Sequence, residues 1–493
     1  MKVRCLAETS QPGPAIDCRM FGHFIENMGK SIYRGGMLDP QGGVRPEAME
    51  AMQELGVSFL RWPGGLFADG YHWKNGIGSN RPVTPNRYWK RYTQIMGPRD
   101  PHHFGTDEFL ALCAQLGATP YINVNLGTGT PQDAADWVEY CNGDSSTKWG
   151  ALRAENGHEQ PYNVKHWGIG NESFGFWALG YSDAATYGKR YNDFMDAIDE
   201  ADPNIEPVAV GTCDLFPNWN PTLLGVIGDR AAHLAVHVYL PGNKPQYLVM
   251  RVKDNEANFH ALCATSCELT RKIDYVTDQI HGSLGKDAGL KIALDEWGLW
   301  WWLPQSYACF WKQRDAVALA GMAGAMVDRC ESVPLGNYAQ LFNVLGLVQT
   351  DQNHLIKTPL FHVMRMFGET LQGNRVTLQI DSPTTPTAKL GGIPAQSALP
   401  LVAGWGAVDG DDFGCILVNR NYASPTEIEI ETPGVVLDTM ELLSAPSPAA
   451  ANTFETPELI RPVRSQIDNG EGGTGFYLPP CSVVAVRGHK IAG

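Results

Sequence analysis

Short apolar segments alternate with stretches of helical periodicity from residue 16 to residue 371, and this alternation constrains the fold more than any other feature of the sequence. Strands separated by helices pair in parallel, and eight such units are the sequence signature of a (β/α)8 barrel. The sequence therefore predicts an α/β fold, a TIM barrel spanning about 355 residues. The predicted strands are residues 16–27, 57–62, 119–124, 165–172, 207–211, 234–239, 291–298 and 338–343.

Several helices between these strands carry start and stop signals. Pro46 opens one helix and Gly56 ends it, because proline fits the first turn of a helix and glycine its carboxyl-terminal turn. We expect Thr106 to cap a helix that stops at Gly117, and Ser182 to cap a long helix that runs to about residue 201. The other predicted helices are residues 131–140, 255–281, 312–330 and 359–371.

Beyond about residue 374 the helical periodicity disappears. Short runs of alternating apolar and polar residues take its place, with turn residues at 409–412. This pattern is typical of an all-β sandwich, which a strand near the amino terminus is expected to complete. The predicted organisation is a barrel at residues 15–373 and a sandwich formed by residues 1–14 and 374–493.

Two of the predicted strands end on acids. The fourth closes with Asn171 and Glu172, and the seventh carries Asp295 and Glu296 before a glycine. The carboxyl ends of barrel strands meet at one mouth, where barrel enzymes place their chemistry. Two carboxylates there suit glycoside hydrolysis, which needs one acid to protonate the leaving oxygen and one carboxylate to attack or to activate water. The alternative for either acid alone is a salt-bridged or helix-capping residue.

Amide and aromatic side chains follow the same strand ends. The Asn171 amide suits a hydrogen bond to a sugar hydroxyl, most usefully the 2-hydroxyl. Tryptophan offers a flat apolar face to sugar C–H groups, and we single out Trp73 and Trp300 as substrate contacts, although about half of the aromatic residues here should serve packing only. The loop at 70–105 and residues 300–302 are expected to close a pocket around one sugar. The aromatic residues are Trp62, Tyr71, Trp73, Tyr88, Trp89, Trp297, Trp300, Trp301 and Trp302.

The composition argues against several classes of partner. A net charge of −15 without a basic run disfavours nucleic acid and anionic membrane surfaces, because such binding needs Lys and Arg to neutralise phosphates. The amino terminus lacks an apolar signal region and no segment approaches a membrane span, so we expect a cytoplasmic protein. Eleven cysteines without a Cys-x-x-Cys pair indicate reduced thiols.

No metal or cofactor motif is apparent in the sequence. His102 and His103 are adjacent and face different ways, and His237 shares a strand face with Tyr239 but with no matching ligand pair. The Gly-Thr-Gly-Thr stretch at 127–130 lacks the lysine of a phosphate-binding loop, so it is interpreted as a turn. We therefore expect a reaction that needs neither metal nor cofactor.

Seven motifs together resemble the α-L-arabinofuranosidases of glycoside hydrolase family 51, which are retaining hydrolases on a (β/α)8 barrel. The resemblance covers essentially the whole chain, and the combination is highly specific although each motif alone is weak. The motifs are Gly-His-Phe-Ile-Glu at 22–26, Arg-Trp-Pro-Gly-Gly at 61–65, Tyr-His-Trp at 71–73, Asn-Val-Asn-Leu-Gly at 123–127, Gly-Ile-Gly-Asn-Glu at 168–172, Asp-Glu-Trp at 295–297 and Ala-Gln at 339–340.

The resemblance implies roles for individual residues. It makes Glu172 the general acid/base and Glu296 the nucleophile. It also implies no cofactor and a homo-oligomer, commonly a hexamer. One branch of the family carries Asn at the position of His72. The positions that match family contacts to the furanose ring or to the nucleophile are Glu26, His72, Asn171, Tyr239 and Gln340.

The expected substrate is a short, soluble arabino-oligosaccharide that loses terminal non-reducing α-L-arabinofuranosyl residues by double displacement. Two alternatives stay open from the sequence. One is a related glycosidase on the same barrel, such as a β-D-galactofuranosidase, a xylosidase or an endoglucanase. The other is a non-catalytic carbohydrate-binding protein, against which the presence of two acids at strand ends argues.

Overall fold

The computed structural model describes residues 1–88, 97–242, 250–302, 305, 309–467 and 474–491. In these ranges eight parallel strands close a barrel with helices around it, and a strand-rich unit follows. The predicted fold class, a (β/α)8 barrel with a C-terminal all-β sandwich, is confirmed. None of the helices in these ranges combines the length and apolar content that crossing a membrane requires.

The bounds of the elements follow in chain order. The strands are β1 (Lys2–Ala7), β2 (Gly22–Phe24), β3 (Phe59–Trp62), β4 (Thr84–Pro85), β5 (Arg99–Asp100), β6 (Thr119–Val124), β7 (His166–Ile169), β8 (Glu206–Val210), β9 (His233–Pro241), β10 (Lys291–Trp300), β11 (Leu335–Tyr338), β12 (Val348–Thr350), β13 (Leu355–Lys357), β14 (Asn374–Val376), β15 (Leu378–Ile380), β16 (Thr384–Thr387), β17 (Gln396–Pro400), β18 (Val402–Asp409), β19 (Asp412–Asn419), β20 (Thr426–Glu431), β21 (Val435–Leu443), β22 (Val463–Gln466), β23 (Thr474–Leu478) and β24 (Ser482–Lys490). The helices are α1 (Pro46–Leu55), α2 (Thr106–Leu116), α3 (Pro131–Asn142), α4 (Lys148–Glu155), α5 (Ala184–Ala201), α6 (Trp219–Ile227), α7 (Glu256–Cys263), α8 (Thr265–Leu284), α9 (Gln313–Val327) and α10 (Pro359–Thr370).

The barrel is closed by eight strands that follow one another around the ring in chain order. They are β2, β3, β6, β7, β8, β9, β10 and β11. All neighbours in this ring are parallel, so every strand delivers its carboxyl end to the same mouth. A small apolar cluster contributed by strands around the ring packs together, and its members are Phe59, Tyr121, Val208, Ala235, Ala293 and Leu335.

The last barrel strand differs from its prediction. It runs Leu335–Tyr338, so Tyr338, which was predicted to begin the strand, ends it. Leu341 lies in a bend after the strand and Phe342 forms an isolated bridge with Val348, and both are fully buried. Their apolar character therefore reflects burial in the core beyond the strand, and a short apolar run cannot distinguish the two situations.

Two helix starts also differ from the sequence analysis. Thr106 is the first residue of α2 and not its cap, and its hydroxyl accepts a hydrogen bond from Trp137 Nε1 at 3.0 Å. Asp183 and not Ser182 caps α5, because the Asp183 carboxylate accepts the backbone N–H of Thr186 at 2.9 Å. Helices α4 and α6 are only 8 and 9 residues long and were not predicted from the sequence.

The sandwich consists of two sheets with the strand orders β15-β1-β20-β23 and β14-β18-β19-β24-β21-β22. The amino-terminal strand β1 lies inside the first sheet, antiparallel to β15 and parallel to β20, as expected. The two sheets share an apolar core that includes Val3, Leu417, Ile428 and Val484. The exact domain boundaries at residues 14 and 373 stay a prediction.

Helix α9 joins the barrel to the sandwich. The buried Gln313 amide at its start donates hydrogen bonds to the carbonyl oxygens of Leu443 and Cys481, at 3.3 and 2.9 Å. Further along the helix, a Cβ on Gly324 would lie only 2.0 Å from Cε2 of the Trp405 indole. The missing side chain at Gly324 is therefore what lets the indole of the sandwich pack against the helix.

This packing predicts opposite effects for one substitution at two helical glycines. Gly324→Ala should lower the free energy of unfolding by about 1–3 kcal/mol, because the added methyl overpacks a closed interface. Gly282→Ala in α8, where a Cβ meets nothing within 4 Å, should raise it by about 0.5–1 kcal/mol through lower backbone entropy of the unfolded chain. Denaturant unfolding of both variants checks this, and equal effects would contradict the close contact with Trp405.

Candidate active site

Glu172 and Glu296 reach the mouth by different backbone routes. Strand β7 ends at Ile169, and the chain then turns so sharply that Glu172 has a φ of 45°. Glu296 lies inside β10, where the register with β9 shifts between Ala293 and Glu296. Such an irregularity lets two successive side chains, Asp295 and Glu296, both turn into the barrel instead of pointing to opposite faces.

The two carboxylates lie close together at the mouth. One oxygen of Glu172, one oxygen of Glu296 and one ring nitrogen of His237 all lie within 4.8 Å of one another. His237 Nδ1 is 2.9 Å from Glu172 Oε1 and 3.5 Å from Glu296 Oε2. Retaining glycosidases hold their carboxyl groups about 5 Å apart, whereas inverting enzymes hold them about 6.5–9.5 Å apart to admit a water between them. The spacing here fits the retaining geometry.

A buried arginine holds the acidic and amide side chains at the mouth in place. Arg61, on β3, is only 1% exposed and donates from Nη1 to Glu296 Oε1 at 2.8 Å. Its Nη2 donates to Asn171 Oδ1 at 2.7 Å, and its Nε lies 3.5 Å from Asp295 Oδ2. Because Arg61 holds the amide oxygen of Asn171, the Nδ2 atom of Asn171 points away from the guanidinium. That Nδ2 has no hydrogen-bond partner among the described residues.

Two glycines after β3 make room for acidic side chains. A Cβ on Gly65 would lie 2.3 Å from Glu296 Oε1, and a Cβ on Gly64 would lie 2.5 Å from Glu26 Cγ. Any larger residue at either position would have to displace a carboxylate. The two glycines of the Arg-Trp-Pro-Gly-Gly motif are therefore a space requirement of the site.

His237 carries a positive charge between three carboxylates. Burial alone would lower its pKa, but the charges of Glu296 and Asp295 and the hydrogen bonds to Asp295 and Glu172 outweigh burial and raise the pKa to about 10. Burial likewise acts to raise the pKa of Glu172, yet the His237 hydrogen bond and charge lower it. The three donor atoms of Glu172, His237 and Glu296 have the spacing of a metal site, but an imidazolium has no lone pair for a metal.

Glu26 lies in the same buried region. Its Oε1 accepts the backbone N–H of Phe67 at 2.8 Å, and its Oε2 accepts the Gln340 amide at 3.0 Å. Burial raises the pKa of Glu26 to about 8, and the nearby charge of Glu296 adds to the effect. Tyr239 donates its hydroxyl to Glu296 Oε2 at 2.9 Å. The structure thus brings Glu26, Tyr239 and Gln340 together with the two central acids.

The aromatic candidates divide into packing residues and residues at the mouth. Trp300 contacts the ring of Tyr239 edge-on at 5.4 Å, which places it beside Glu296. Trp73 is buried and stacked on Trp137, and its N–H donates to a backbone carbonyl, so that N–H is already used. His72 lies next to it, half-buried, and both residues line a cavity of about 310 Å³.

The remaining predicted aromatic residues mostly serve packing. Trp301 packs on Trp311, and Trp302 lies against the guanidinium of Arg251, so residues 300–302 do not form one surface. Trp89 lies outside the described residues. The residues that are buried in the core are Trp62, Tyr71, Tyr88 and Trp297.

Three residues at the mouth were missed by the sequence analysis. His237 was considered only as a metal ligand, although it lies two residues before Tyr239 on the same strand face, which was a usable signal. Arg61 stood in a quoted motif, and a charge inside an apolar strand marks a buried partner. Trp177, which donates its indole N–H to Glu172 Oε2, lies in a loop and carried no signal of its own.

Comparison with known proteins places the chain among sugar-cleaving enzymes. Residues 51–253 match the family model described as the alpha-L-arabinofuranosidase 1 domain, and residues 295–482 match the alpha-L-arabinofuranosidase C-terminal domain. The intracellular exo-alpha-L-arabinofuranosidase of Bacteroides ovatus is 28% identical over 96% of this chain and 93% of its own length. Alpha-L-arabinofuranosidase C of Emericella nidulans is 30% identical over 74% of each chain.

A solved structure agrees with these relatives. The arabinose complex of the alpha-L-arabinofuranosidase from Thermotoga maritima superimposes with a TM-score of 0.87, at 29% identity and over 99% of both chains. A (β/α)8 barrel whose mouth holds two carboxylates at the retaining distance defines a glycoside hydrolase. Within that class, the chain belongs to the α-L-arabinofuranosidases of glycoside hydrolase family 51.

The buried state of Glu26 predicts a pH dependence of stability. Its pKa of about 8 lies above the ordinary 4.5, so between these pH values the folded protein binds more protons than the unfolded chain. The free energy of unfolding should therefore fall as pH rises from 4.5 to 8, by up to about 1.4 kcal/mol per pH unit from this group. Glu26→Gln should remove that slope, which denaturant unfolding at several pH values measures.

The matched control is Glu155→Gln, at an exposed position on α4, which should leave the slope of wild type unchanged. If the stability difference between Glu26→Gln and wild type stayed constant over this pH range, Glu26 would be ionising at its ordinary pKa.

Proposed function

We propose that the chain is a retaining, exo-acting α-L-arabinofuranosidase that removes terminal non-reducing α-L-arabinofuranosyl residues from arabino-oligosaccharides by double displacement. The observation that carries the mechanism is the separation of the Glu172 and Glu296 oxygens, which is at most 4.8 Å. At that distance one carboxylate attacks the anomeric carbon while the other delivers a proton to the leaving oxygen.

Glu296 is the nucleophile in this proposal. Arg61 donates to its Oε1 and the Tyr239 hydroxyl donates to its Oε2, so both oxygens are held in place by hydrogen-bond donors. A fixed carboxylate attacks without first reorganising its surroundings. The Asp295 carboxylate neutralises part of the Arg61 charge and so keeps Arg61 from pairing with Glu296 alone.

Glu172 is the general acid/base, and His237 supplies its proton. In the resting site the imidazolium of His237 holds the proton and donates to Glu172 Oε1 at 2.9 Å. The proton of His237 moves along that hydrogen bond onto the Glu172 carboxylate, and Glu172 in turn gives a proton to the leaving oxygen, which leaves His237 neutral. When Glu296 becomes a neutral ester, one of the charges that raised the His237 pKa is lost, and Glu172 can act as the base that activates water.

Polar groups around the acids recognise the sugar. The unpartnered Nδ2 of Asn171 is placed to donate to the 2-hydroxyl of a furanose at the mouth. Glu26, joined to Gln340, offers a buried carboxyl that can accept or donate to a second hydroxyl. His72, Trp73 and Trp300 are assigned to the substrate on the sequence prediction, with Trp300 supported by its contact with Tyr239.

The substrate and setting follow from the relatives. The Bacteroides ovatus relative is named as intracellular and exo-acting, and the Thermotoga maritima structure is titled as an arabinose complex. We infer from these names that the present chain acts in the cytoplasm on oligosaccharides small enough to be imported. The proposal includes a homo-oligomer, with a hexamer as the form implied by the family resemblance.

Variants of the two acids distinguish their roles. Glu172→Ala should lose about 10²–10⁴-fold in kcat on substrates whose leaving group needs protonation, but should still form a glycosyl-enzyme from activated aryl glycosides. Added azide should then restore turnover with retained configuration. Glu296→Ala should show no such rescue with retention, because the covalent intermediate cannot form. Kinetics with and without azide, together with product analysis by NMR, measure both.

Glu155→Ala on the exposed face of α4 serves as the control and should behave as wild type. An inverted product from the wild-type enzyme would overturn the retaining mechanism. Rescue of Glu296→Ala with retention would exchange the assigned roles.

The sugar preference is tested with two aryl furanosides. A β-D-galactofuranoside presents a similar ring and a longer exocyclic arm, and one such group is worth about 1–3 kcal/mol in a binding pocket. We expect kcat/KM for the galactofuranoside at roughly a tenth to a hundredth of that for the α-L-arabinofuranoside. A preference for the galactofuranoside, or cleavage in the middle of a linear glucan, would contradict the proposed specificity.

A further inference from the structure

A second cluster of ionisable groups lies at the opposite end of the barrel from the mouth. His166, Glu206 and His233 are the first residues of three consecutive barrel strands, β7, β8 and β9. Parallel pairing sets His166 directly beside Glu206 in the register of β7 and β8. The amino-terminal face of such barrels contributes to stability and not to the reaction, so this cluster has no part in the mechanism above.

The distances within the cluster are long for charge-assisted hydrogen bonds. His166 Nδ1 lies 3.4 Å and His233 Nε2 lies 3.5 Å from the same atom, Glu206 Oε2. Charge-assisted hydrogen bonds are shorter, at about 2.7–2.9 Å. Two ligands that each lie 2.0–2.1 Å from a tetrahedral zinc ion are separated by about 3.3–3.4 Å. Both separations from Glu206 Oε2 match this spacing, and one ligand atom from each of the three residues lies within 4.8 Å of the other two, so the cluster can offer three ligands to one ion and leave a fourth position for water.

The environment of the cluster suits a metal better than the mouth does. The His166 side chain is 2% exposed, and its Nδ1 has no hydrogen-bond partner among the described residues. At the mouth, in contrast, His237 Nδ1 is already hydrogen-bonded to Glu172 Oε1 at 2.9 Å. The Glu206 side chain is 45% exposed, which gives an ion a path from solvent.

Arg19 stabilises the tautomer of His166 that cannot bind a metal through Nδ1. Its Nη1 lies 2.9 Å from His166 Nε2, and because a guanidinium only donates, Nε2 must accept and Nδ1 must carry the ring proton. That proton points toward Glu206 and occupies the position where an ion would bind Nδ1. If Arg19 moved away, the proton could sit on Nε2 and Nδ1 would be free. Arg19 is 31% exposed and held by Asp17, so it has solvent to move into.

We propose that His166 Nδ1, Glu206 Oε2 and His233 Nε2 form a binding site for a divalent transition metal ion of the zinc class, which Arg19 opposes by holding His166 in the wrong tautomer. The ion links the starts of three consecutive barrel strands. Because it binds the folded chain and not the unfolded one, it raises the melting temperature in a saturable way. It leaves the reaction at the mouth unchanged.

The test uses the full chain, stripped of metal with a chelator, and titrates it with Zn²⁺ and with Co²⁺. The exposed Cys18 adjoins Arg19, so all proteins carry Cys18→Ser to remove a competing thiolate. Calorimetry gives the stoichiometry and affinity, the visible absorption of Co²⁺ reports tetrahedral nitrogen and oxygen ligation, and thermal unfolding reports the shift in melting temperature. Activity on an aryl arabinofuranoside is followed at saturating Zn²⁺.

We expect one ion per chain, and affinity that falls by more than about tenfold in Glu206→Gln and, independently, in His233→Gln, since even outer partners of metal ligands are worth that much. Arg19→Ala should bind more tightly than its parent, which a purely structural role of Arg19 would not produce. Glu200→Gln, an exposed acid on α5, is the matched control and should bind like its parent. In all of these proteins kcat/KM should be unaffected by the ion.

Three results would overturn the proposal. One is the absence of stoichiometric binding in both the parent and Arg19→Ala. Another is binding that survives both Glu206→Gln and His233→Gln, especially if it inhibits the enzyme, which would place the ion among the carboxylates of the mouth. The third is an Arg19→Ala protein that binds no more tightly than its parent.

Discussion

The buried guanidinium of Arg61 is the charge on which the mouth of the barrel depends. It contacts Glu296, Asp295 and Asn171 at once, from a position that is 1% exposed. Removing one member of a buried ion pair typically costs about 3–5 kcal/mol, because the remaining charge is left without a partner in a medium of low polarity. The burial of the acids therefore depends on Arg61, and the burial of Arg61 depends on the acids.

The charges around Arg61 differ in what burial does to them. Glu26 forms no ion pair among the described residues, and burial raises its pKa to about 8 despite the charge of Arg61. The Asp295 carboxyl is buried as completely, but its pKa is lowered because Arg61 and His237 lie beside it. His237 keeps its proton because the negative charges of Glu296 and Asp295 beside it outweigh the effect of burial. One small region thus holds a neutral acid, ionised acids and an imidazolium, and each state is set by the nearest opposite charge and not by depth alone.

The fold brings these groups together through a few local departures from regular structure. The register shift in β10 turns Asp295 and Glu296 to the same side, and the turn after β7 aims Glu172 at them. The absent side chains at Gly64 and Gly65 leave the space that the carboxylates occupy. The opposite end of the same strands, where His166 begins β7, is regular and carries neutral histidine, so one set of strands presents two different chemical environments.

The sequence by itself determined the order of the eight barrel strands, the two acids at strand ends and the change to a sandwich, because periodicity, turn residues and polar strand ends are local signals. It could not separate apolar residues in a strand from apolar residues in a buried turn, so the last barrel strand was placed too late, at Tyr338. Only the tertiary structure decided that Trp73 is stacked on Trp137, that His237 carries a charge between carboxylates and that Arg61 binds them. Those properties depend on neighbours from distant strands, and the energies of burial and charge pairing exist only once the strands have met.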